Sequence, residues 1–205
     1  GYMDKEQVLV KDLPEEDRPL NQQWSWDRIL RSCYIKQADV LQGIYFFEGE
    51  YDIDTIRRNF EFYEPRTVHE SSLSPCVHAI LAAKLGKEQQ AYEFYLRTGR
   101  LDLDDYNNDT GDGLHITSMA GTWMSIVEGF AGMRIRNGQL HFNPFLPEKW
   151  RSFSFNILFR GATLNIRVTK TGVHISTLSG KETDIYIHGH LYGSPSIHTS
   201  VIRNS

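Results

Sequence analysis

The stretch GTWMSIVEGFAGMRIRNGQLHF, residues 121 to 142, marks where the chain changes from helix to strand. Residues 121 to 130 are apolar nearly all round a helical wheel, as expected of a helix that is buried on every side. Beyond Arg134 the apolar residues alternate, and Asn137-Gly138 is a dipeptide that favours a two-residue hairpin turn. This change of period predicts an α+β fold, helical before Arg134 and β-rich after it.

In the part of the chain before residue 121, apolar residues recur at helical spacing. Asp52 and Asp54 are candidate N-caps, Ser74 is the N-cap expected before Pro75, and Gly86 is a typical helix end. The predicted helices cover residues 26–31, 39–47, 55–63, 75–85, 87–97 and 121–130. This is too few helices to close a helical toroid, so the helical part is expected to be incomplete.

Working forward from residue 142, the pattern alternates as it does in strands. The predicted strands cover residues 153–159, 162–169, 173–177 and 183–188, with turn glycines between them. They predict a small antiparallel β-sandwich, and the Ser-rich tail from Gly193 to Ser205 is expected to be frayed. The expected organisation is therefore a helical domain over residues 1–134 and a β-sandwich domain over residues 135–205.

The composition excludes several classes of protein. The chain has 205 residues, 40% of them hydrophobic and 23% charged, with a net charge of −4. This charge argues against a nucleic-acid partner, and the absence of a long apolar run argues against a membrane segment. Cys33 and Cys76 have no metal-site spacing and form no disulfide framework, which favours a cytoplasmic protein. The opening residues Gly1-Tyr2-Met3 suggest that the chain begins inside a larger protein.

The segment from Asp109 to Trp123, DTGDGLHITSMAGTW, is the densest in polar chemistry. It places His115 and several hydroxyl groups where a turn-rich loop enters an apolar helix. Backbone N–H groups at a helix start attract anions, and the helix dipole adds to that attraction. We therefore expect this loop to hold inorganic phosphate as a nucleophile. An ordinary loop that caps a buried helix fits the same residues.

Two further segments carry candidate binding groups. Lys36-Gln37 stands at a predicted helix start and can donate hydrogen bonds to sugar or phosphate oxygens, although a solvated helix start fits equally well. The second segment, residues 64 to 74, places His69 beside Glu70, as an acid–base pair or an oriented histidine, and is followed by Ser71 and Ser72. Helix capping is the alternative for this segment.

An acidic stretch, residues 102 to 112, looks at first like a calcium loop. Counting from Asp105, the sixth position is Thr110 and the twelfth is Ile116, where an EF-hand requires glycine and glutamate. We interpret the stretch as a turn-rich loop in which Asp112 could orient a neighbouring side chain, and we expect no metal site.

Taken together, these segments resemble the C-terminal part of glycoside hydrolase family 65, the inverting disaccharide phosphorylases. The resemblance extends over residues 20 to 190. It implies the C-terminal portion of an (α/α)6 barrel followed by a β-sandwich. The segments that carry it are Lys36–Asp39, Asn59–Pro65, Thr67–Ser74, Leu101–Asp105, Gly113–Trp123, Gly129–Arg134 and Phe142–Pro147.

The resemblance also implies roles for particular residues. His115, Ser118, Gly121 and Thr122 match the family's phosphate-binding loop. The positions that match its substrate-binding segments are Lys36, Gln37, His69, Glu70, Ser71 and Ser72. The family's catalytic acid is a glutamate upstream of this region, so no catalytic residue is expected in this chain, and the isolated fragment is expected to be inactive.

The implied reaction cleaves maltose with inorganic phosphate, with inversion, to β-D-glucose 1-phosphate and glucose, and it needs no cofactor. Trehalose, kojibiose and nigerose are alternative substrates. Hydrolysis of a glucoside is a second possibility, in which Glu70 would activate water. A third possibility is that the chain is a non-catalytic folding or dimerisation module whose exposed apolar face drives association. The complete protein is expected to be a homodimer without nucleic-acid or membrane partners.

Overall fold

The helical part is organised around one helix, α5 (Ser74–Lys84), in which every residue from Ser74 to Ala83 is buried. Its small and aliphatic side chains allow neighbours to approach from all sides. The computed structural model describes residues 8–18, 20–69, 71–105, 108, 110–193 and 196–199, with Asn21 and 196–199 described by their backbone alone. Within these residues α5 packs against three other helices, α3 (Asp39–Phe46), α6 (Glu88–Gly99) and α7 (Ile116–Met124).

The helix bounds follow the capping chemistry. The Asp52 carboxylate accepts a hydrogen bond from the Thr55 N–H at 2.7 Å and starts one helix, and Ser25 caps another in the same way. Ser74 is the first helical residue and Leu73 the N-cap, so the prediction that Ser74 is the cap is wrong. The remaining helices are α1 (Leu20–Gln23), α2 (Trp26–Leu30), α3 (Asp39–Phe46), α4 (Ile53–Tyr63), α6 (Glu88–Gly99) and α7 (Ile116–Met124), which continues as a π-helix over Ser125–Phe130.

The helices of this layer approach each other closely at Gly121 in α7. A β-carbon at this position would lie 2.8 Å from Cys76 Cβ on α5 and 3.2 Å from Thr98 Cγ2 on α6. Only a residue without a side chain lets the three helices pack at this distance. The contact fixes α7 and, with it, the loop that precedes α7.

The β-part contains two four-stranded sheets among the described residues. One consists of β1 (Arg134–Arg136), β2 (Gln139–Phe142), β6 (Ile185–Ile187) and β7 (His190–Tyr192), in that order. Its first hairpin turns at Asn137-Gly138, as predicted. The other has the order β3-β4-β5-β8. The strands are β1 (Arg134–Arg136), β2 (Gln139–Phe142), β3 (Ser152–Phe159), β4 (Ala162–Thr169), β5 (Gly172–Ser179), β6 (Ile185–Ile187), β7 (His190–Tyr192) and β8 (Ser196–Thr199).

Two predictions about the β-part are wrong. β2 and β6 pair in parallel, so the first sheet is mixed and not antiparallel. Between these two strands the chain forms β3, β4 and β5 of the second sheet and then returns in the same direction, which is the kind of crossover that a parallel pair requires. Fraying was also expected from Gly193 onward, whereas residues 196–199 pair with β5 as an antiparallel edge strand.

The helical and β-parts share one hydrophobic core. The fully buried ring of Phe130, at the end of the π-helix, makes edge contacts with Tyr95, Phe145 and Trp150. The fold is therefore a mixed helix and sheet structure, and the α+β prediction is confirmed at this level. That the helices belong to an (α/α)6 barrel stays a prediction.

A half-buried ion cluster reinforces the same junction. The Glu48 carboxylate accepts hydrogen bonds from the Arg134 guanidinium at 2.8 and 3.0 Å and lies 3.3 Å from Lys84 Nζ. Burial raises the pKa of Glu48, but Arg134 and Lys84 outweigh it and hold the pKa below its usual range. The carboxylate is therefore ionised, and it ties the first strand to α5.

One face of α7 is not covered. Ile116, Met119 and Trp123 lie on it at helical spacing and are 75%, 50% and 49% exposed. Single exposed apolar residues are ordinary, but a row along one helix face is typical of a surface that packs against further protein. None of the described helices has the length and apolar character needed to cross a bilayer.

The contact at Gly121 gives a first prediction. Gly121→Ala should lower the free energy of unfolding by about 1–3 kcal/mol, because its methyl group overlaps Cys76. Gly43→Ala is the matched control, since Gly43 lies inside α3 with no atom within 4 Å of the added carbon. It should raise stability by up to about 1 kcal/mol. Chemical denaturation of both variants measures the difference, and equal effects would contradict the packing described.

Candidate functional site

Three segments of the helical part meet at one end of α5 and α7. Residues 35 and 67 form a parallel bridge, in which the Val68 N–H donates to the Ile35 carbonyl at 2.9 Å. The hydroxyl of Ser72 lies 3.1 Å from that of Thr117 in the first turn of α7. The sequence clusters around Lys36, Ser72 and His115, which are far apart along the chain, are thus joined through neighbouring contacts.

His115 stands at the N-cap of α7 and is held by Asp102. The Nδ1 of His115 lies 2.7 Å from one carboxylate oxygen, and its backbone N–H donates to the other at 2.9 Å. The hydrogen bonds from the His115 ring and backbone hold the pKa of Asp102 below its usual range. Asp102 is therefore an acceptor and Nδ1–H a donor, so any hydrogen bond from the ring to a ligand must involve Nε2.

The other residues of the predicted phosphate loop make helix contacts. The Ser118 hydroxyl, 3% exposed, donates to the Thr98 carbonyl at 2.7 Å, and the Thr122 hydroxyl donates to the Ser118 carbonyl at 2.9 Å. Gly121 is occupied by the packing against Cys76. In this arrangement the Ser118 hydroxyl joins α7 to α6 and the Thr122 hydroxyl bonds within α7, and the part of these residues in binding phosphate stays a prediction.

His69 is buried and strained. Its backbone is left-handed, with φ 54°, and its Nδ1 lies 2.9 Å from the Ser74 hydroxyl. Burial, followed by the nearby His78 and Arg97, lowers the pKa of His69 to about 2. The ring is therefore neutral at physiological pH, which fits an oriented histidine better than an acid–base residue. Glu70, its predicted partner, lies outside the described residues.

The remaining predicted residues surround the bridge between residues 35 and 67. Lys36 is exposed, whereas Gln37 is half-buried and donates its amide N–H to the Asp39 carboxylate at 3.1 Å. The Ser71 hydroxyl accepts from the Leu73 N–H at 3.3 Å, and Ser72 reaches Thr117. Ser72 is thus held at the start of α7, and the exposed Lys36 follows Ile35, which bridges to Thr67.

Sequence reasoning missed two residues of this arrangement. It proposed Asp112 as an orienting carboxylate, whereas the described partner of His115 is Asp102. It also passed over Thr117, whose hydroxyl contacts Ser72. Among the described residues, no group of histidine, cysteine, aspartate and glutamate side chains is arranged to hold a metal ion. The functional groups present are an imidazole, hydroxyls, a lysine and a helix start. These groups can bind an anion and sugar hydroxyls.

Comparison with known proteins agrees with this chemistry. Residues 1–124 match the central catalytic domain of glycosyl hydrolase family 65, and residues 133–193 match the C-terminal domain of the same family. The chain is 54% identical over 196 residues to the maltose phosphorylase of Bacillus subtilis, and this alignment covers 96% of the chain and 25% of the relative.

Two further relatives extend the comparison. The α,α-trehalose phosphorylase of Thermoanaerobacter brockii is 40% identical over 91% of the chain and 24% of the relative. A solved structure from the human microbiome, assigned as a kojibiose phosphorylase, superposes with a TM-score of 0.90 at 38% identity, covering 97% of this chain and 29% of that one. The chain thus spans about a quarter of the length of the curated relatives it matches.

The buried histidine pair gives a prediction about pH. Burial is the largest cause that lowers the pKa of His69 to about 2 and of His78 to about 4, both below the unfolded value of 6.5. The stability that depends on these neutral rings is therefore full above pH 6.5 and is lost as pH falls towards the folded pKa values. Between pH 6.5 and 4.5 each ring should add a slope approaching about 1.4 kcal/mol per pH unit.

His78→Asn tests this prediction, because asparagine keeps a donor for the Ser74 carbonyl, to which His78 Nδ1 donates at 3.0 Å. Urea unfolding at several pH values should give a slope that is smaller by about 1.4 kcal/mol per pH unit in the variant. Identical slopes for the two proteins would show that His78 is protonated equally in the folded and unfolded states.

Proposed function

Because the chain belongs to glycosyl hydrolase family 65, we propose that it forms the C-terminal quarter of an inverting disaccharide phosphorylase that acts on maltose. The observation that carries this proposal is His115 at the start of α7, held by Asp102 beside the Ser72 and Thr117 hydroxyls. The family's phosphorylases use inorganic phosphate as a co-substrate. We place phosphate against Nε2 of His115 and the first turn of α7.

The proposed reaction needs one carboxylic acid, supplied by the part of the protein that precedes this chain. That acid protonates the glycosidic oxygen as its bond to the anomeric carbon breaks. A phosphate oxygen attacks the same carbon from the opposite face, which gives β-D-glucose 1-phosphate and glucose. An inverting hydrolase places a second carboxylate on this face to activate water.

Charge explains why this surface favours phosphate. A carboxylate with no counter-charge would repel an anionic nucleophile. The Asp102 carboxylate lies next to His115, and both of its oxygens accept hydrogen bonds from His115. Because its pKa is lowered, Asp102 is ionised and cannot serve as a general acid at neutral pH. The exposed Lys36 adds a positive charge to the neighbouring segment.

The choice of maltose rests on similarity alone. Identity to the B. subtilis maltose phosphorylase is 54%, against 40% for the T. brockii trehalose phosphorylase. Kojibiose, trehalose and nigerose are the substrates to test next. We further propose that the complete protein is a cytoplasmic homodimer, and that the uncovered face of α7 packs against the rest of the barrel.

The proposal predicts phosphate-dependent cleavage of maltose. The complete protein that carries this chain should convert maltose to β-D-glucose 1-phosphate and glucose only when inorganic phosphate is present, and proton NMR distinguishes the β-anomer directly. His115→Ala should reduce turnover at a fixed, sub-saturating phosphate concentration by at least tenfold, the loss expected for one charge-assisted hydrogen bond.

The matched control is His190→Ala, which replaces an exposed histidine on β7, the edge strand of the first sheet. It should leave turnover unchanged. Glucose release at equal rates with and without phosphate would indicate a hydrolase and contradict the proposal. Turnover of another disaccharide, but not of maltose, would retain the phosphorylase and correct its substrate.

A further inference from the structure

The side chain of Asp102 contacts both the ring and the backbone of His115. Its two oxygens accept from Nδ1–H at 2.7 Å and from the backbone N–H at 2.9 Å. We propose that Asp102 is a positioning residue for phosphate, which acts through His115 by fixing its tautomer and ring direction. This inference rests on the proposed function and extends it to a residue for which the sequence suggested no role.

The place of Asp102 is set by the helix packing beneath it. The Ser118 hydroxyl bonds the Thr98 carbonyl at the end of α6, and a β-carbon on Gly99 would lie 3.3 Å from Thr122 Cγ2. Leu101, 4% exposed, anchors the turn that follows. Asp102 is the next residue. The backbone that leads to its carboxylate is therefore held against α7.

The two hydrogen bonds have separate consequences. The bond to the backbone N–H satisfies a donor at the start of α7, where a negative charge is also favoured by the helix dipole. The bond to Nδ1 places a proton on that nitrogen and turns Nε2 towards the ligand side of the ring. When Nε2 also carries a proton for phosphate, the carboxylate balances the charge of the ring.

The neighbouring Asp104 is a carboxylate of the same loop that does not contact His115 in the hydrogen bonds shown and is paired with an arginine instead. It is hydrogen-bonded to Arg100 at 2.6 and 2.8 Å, on an exposed stretch of the loop. It has the same side chain and lies two positions along the chain. Asp104→Asn is therefore a matched control, because it removes a surface ion pair that is worth little and leaves His115 untouched.

Asparagine at position 102 cannot accept both hydrogen bonds, because one of its two polar atoms is a donor. We expect Asp102→Asn in the complete protein to lower kcat/KM for phosphate by about tenfold or more, with the KM for maltose changed by less than about twofold. Asp104→Asn should change neither. A general loss of folded protein would instead lower the apparent activity towards both substrates alike and would be visible in Tm.

A double-mutant cycle separates the ring contact from the backbone contact. Phosphate affinity is measured for all variants, active or not, from the rise in Tm that inorganic phosphate produces. In the His115→Ala background the backbone N–H is still present but the ring is gone. Asp102→Asn should then change phosphate affinity by less than about twofold, although it weakens phosphate binding about tenfold when the ring is present.

Three results would overturn the inference. The first is an unchanged kcat/KM for phosphate in Asp102→Asn, and the second is an equal loss of phosphate affinity with and without the His115 ring. The third is a maltose KM that rises in parallel with that of phosphate. If the unaltered protein cleaves maltose without phosphate, the proposed function is wrong and so is the inference. That assay of the unaltered protein is carried out before any variant is made, so the two failures are distinguished.

Discussion

The rest of this structure depends on the contact of α7 with α5 and α6 at Gly121. Because a β-carbon there would lie 2.8 Å from Cys76 Cβ, the three helices approach more closely than any side chain would permit. The hydroxyls of Ser118 and Thr122 then bond along and between the helices. This packing fixes the start of α7, and with it the position of His115.

The same packing explains how one carboxylate comes to hold the histidine. Asp102 lies in the turn just after α6, and His115 directly precedes α7, so two helices that are packed together also set the distance between these side chains. A second carboxylate, that of Glu48, is likewise paired, with Arg134 and Lys84. In both places an ionised carboxylate is satisfied by hydrogen bonds, as groups removed from water require.

Much of the fold could be predicted from the sequence because local chemistry determines it. The cap at Asp52, the buried run of α5 and the Asn137-Gly138 hairpin are all patterns within a few residues of each other. The parallel pairing of β2 with β6 could not be predicted, because it joins residues 140–142 to residues 185–187 across an intervening sheet. Nothing in the order of alternating residues distinguishes that pairing from an antiparallel one.

The candidate site shows the same limit. Similarity of motifs identified His115, but its partner lies 13 positions away in a loop with several other acidic residues, and only the packing of α6 selects Asp102. His69 has a polar side chain beside a charged one, and sequence alone gave no reason to bury it against His78 and Phe94. Sequence patterns thus locate the polar loops, whereas the tertiary contacts decide which of their groups face a ligand.

A crystal structure of the complete protein grown with inorganic phosphate would locate the nucleophile. We expect phosphate within hydrogen-bond reach, about 2.7–3.2 Å, of Nε2 of His115 at the first turn of α7, with Asp102 still on Nδ1. Phosphate bound at another site, with His115 out of reach in a protein whose turnover depends on phosphate, would contradict this expectation.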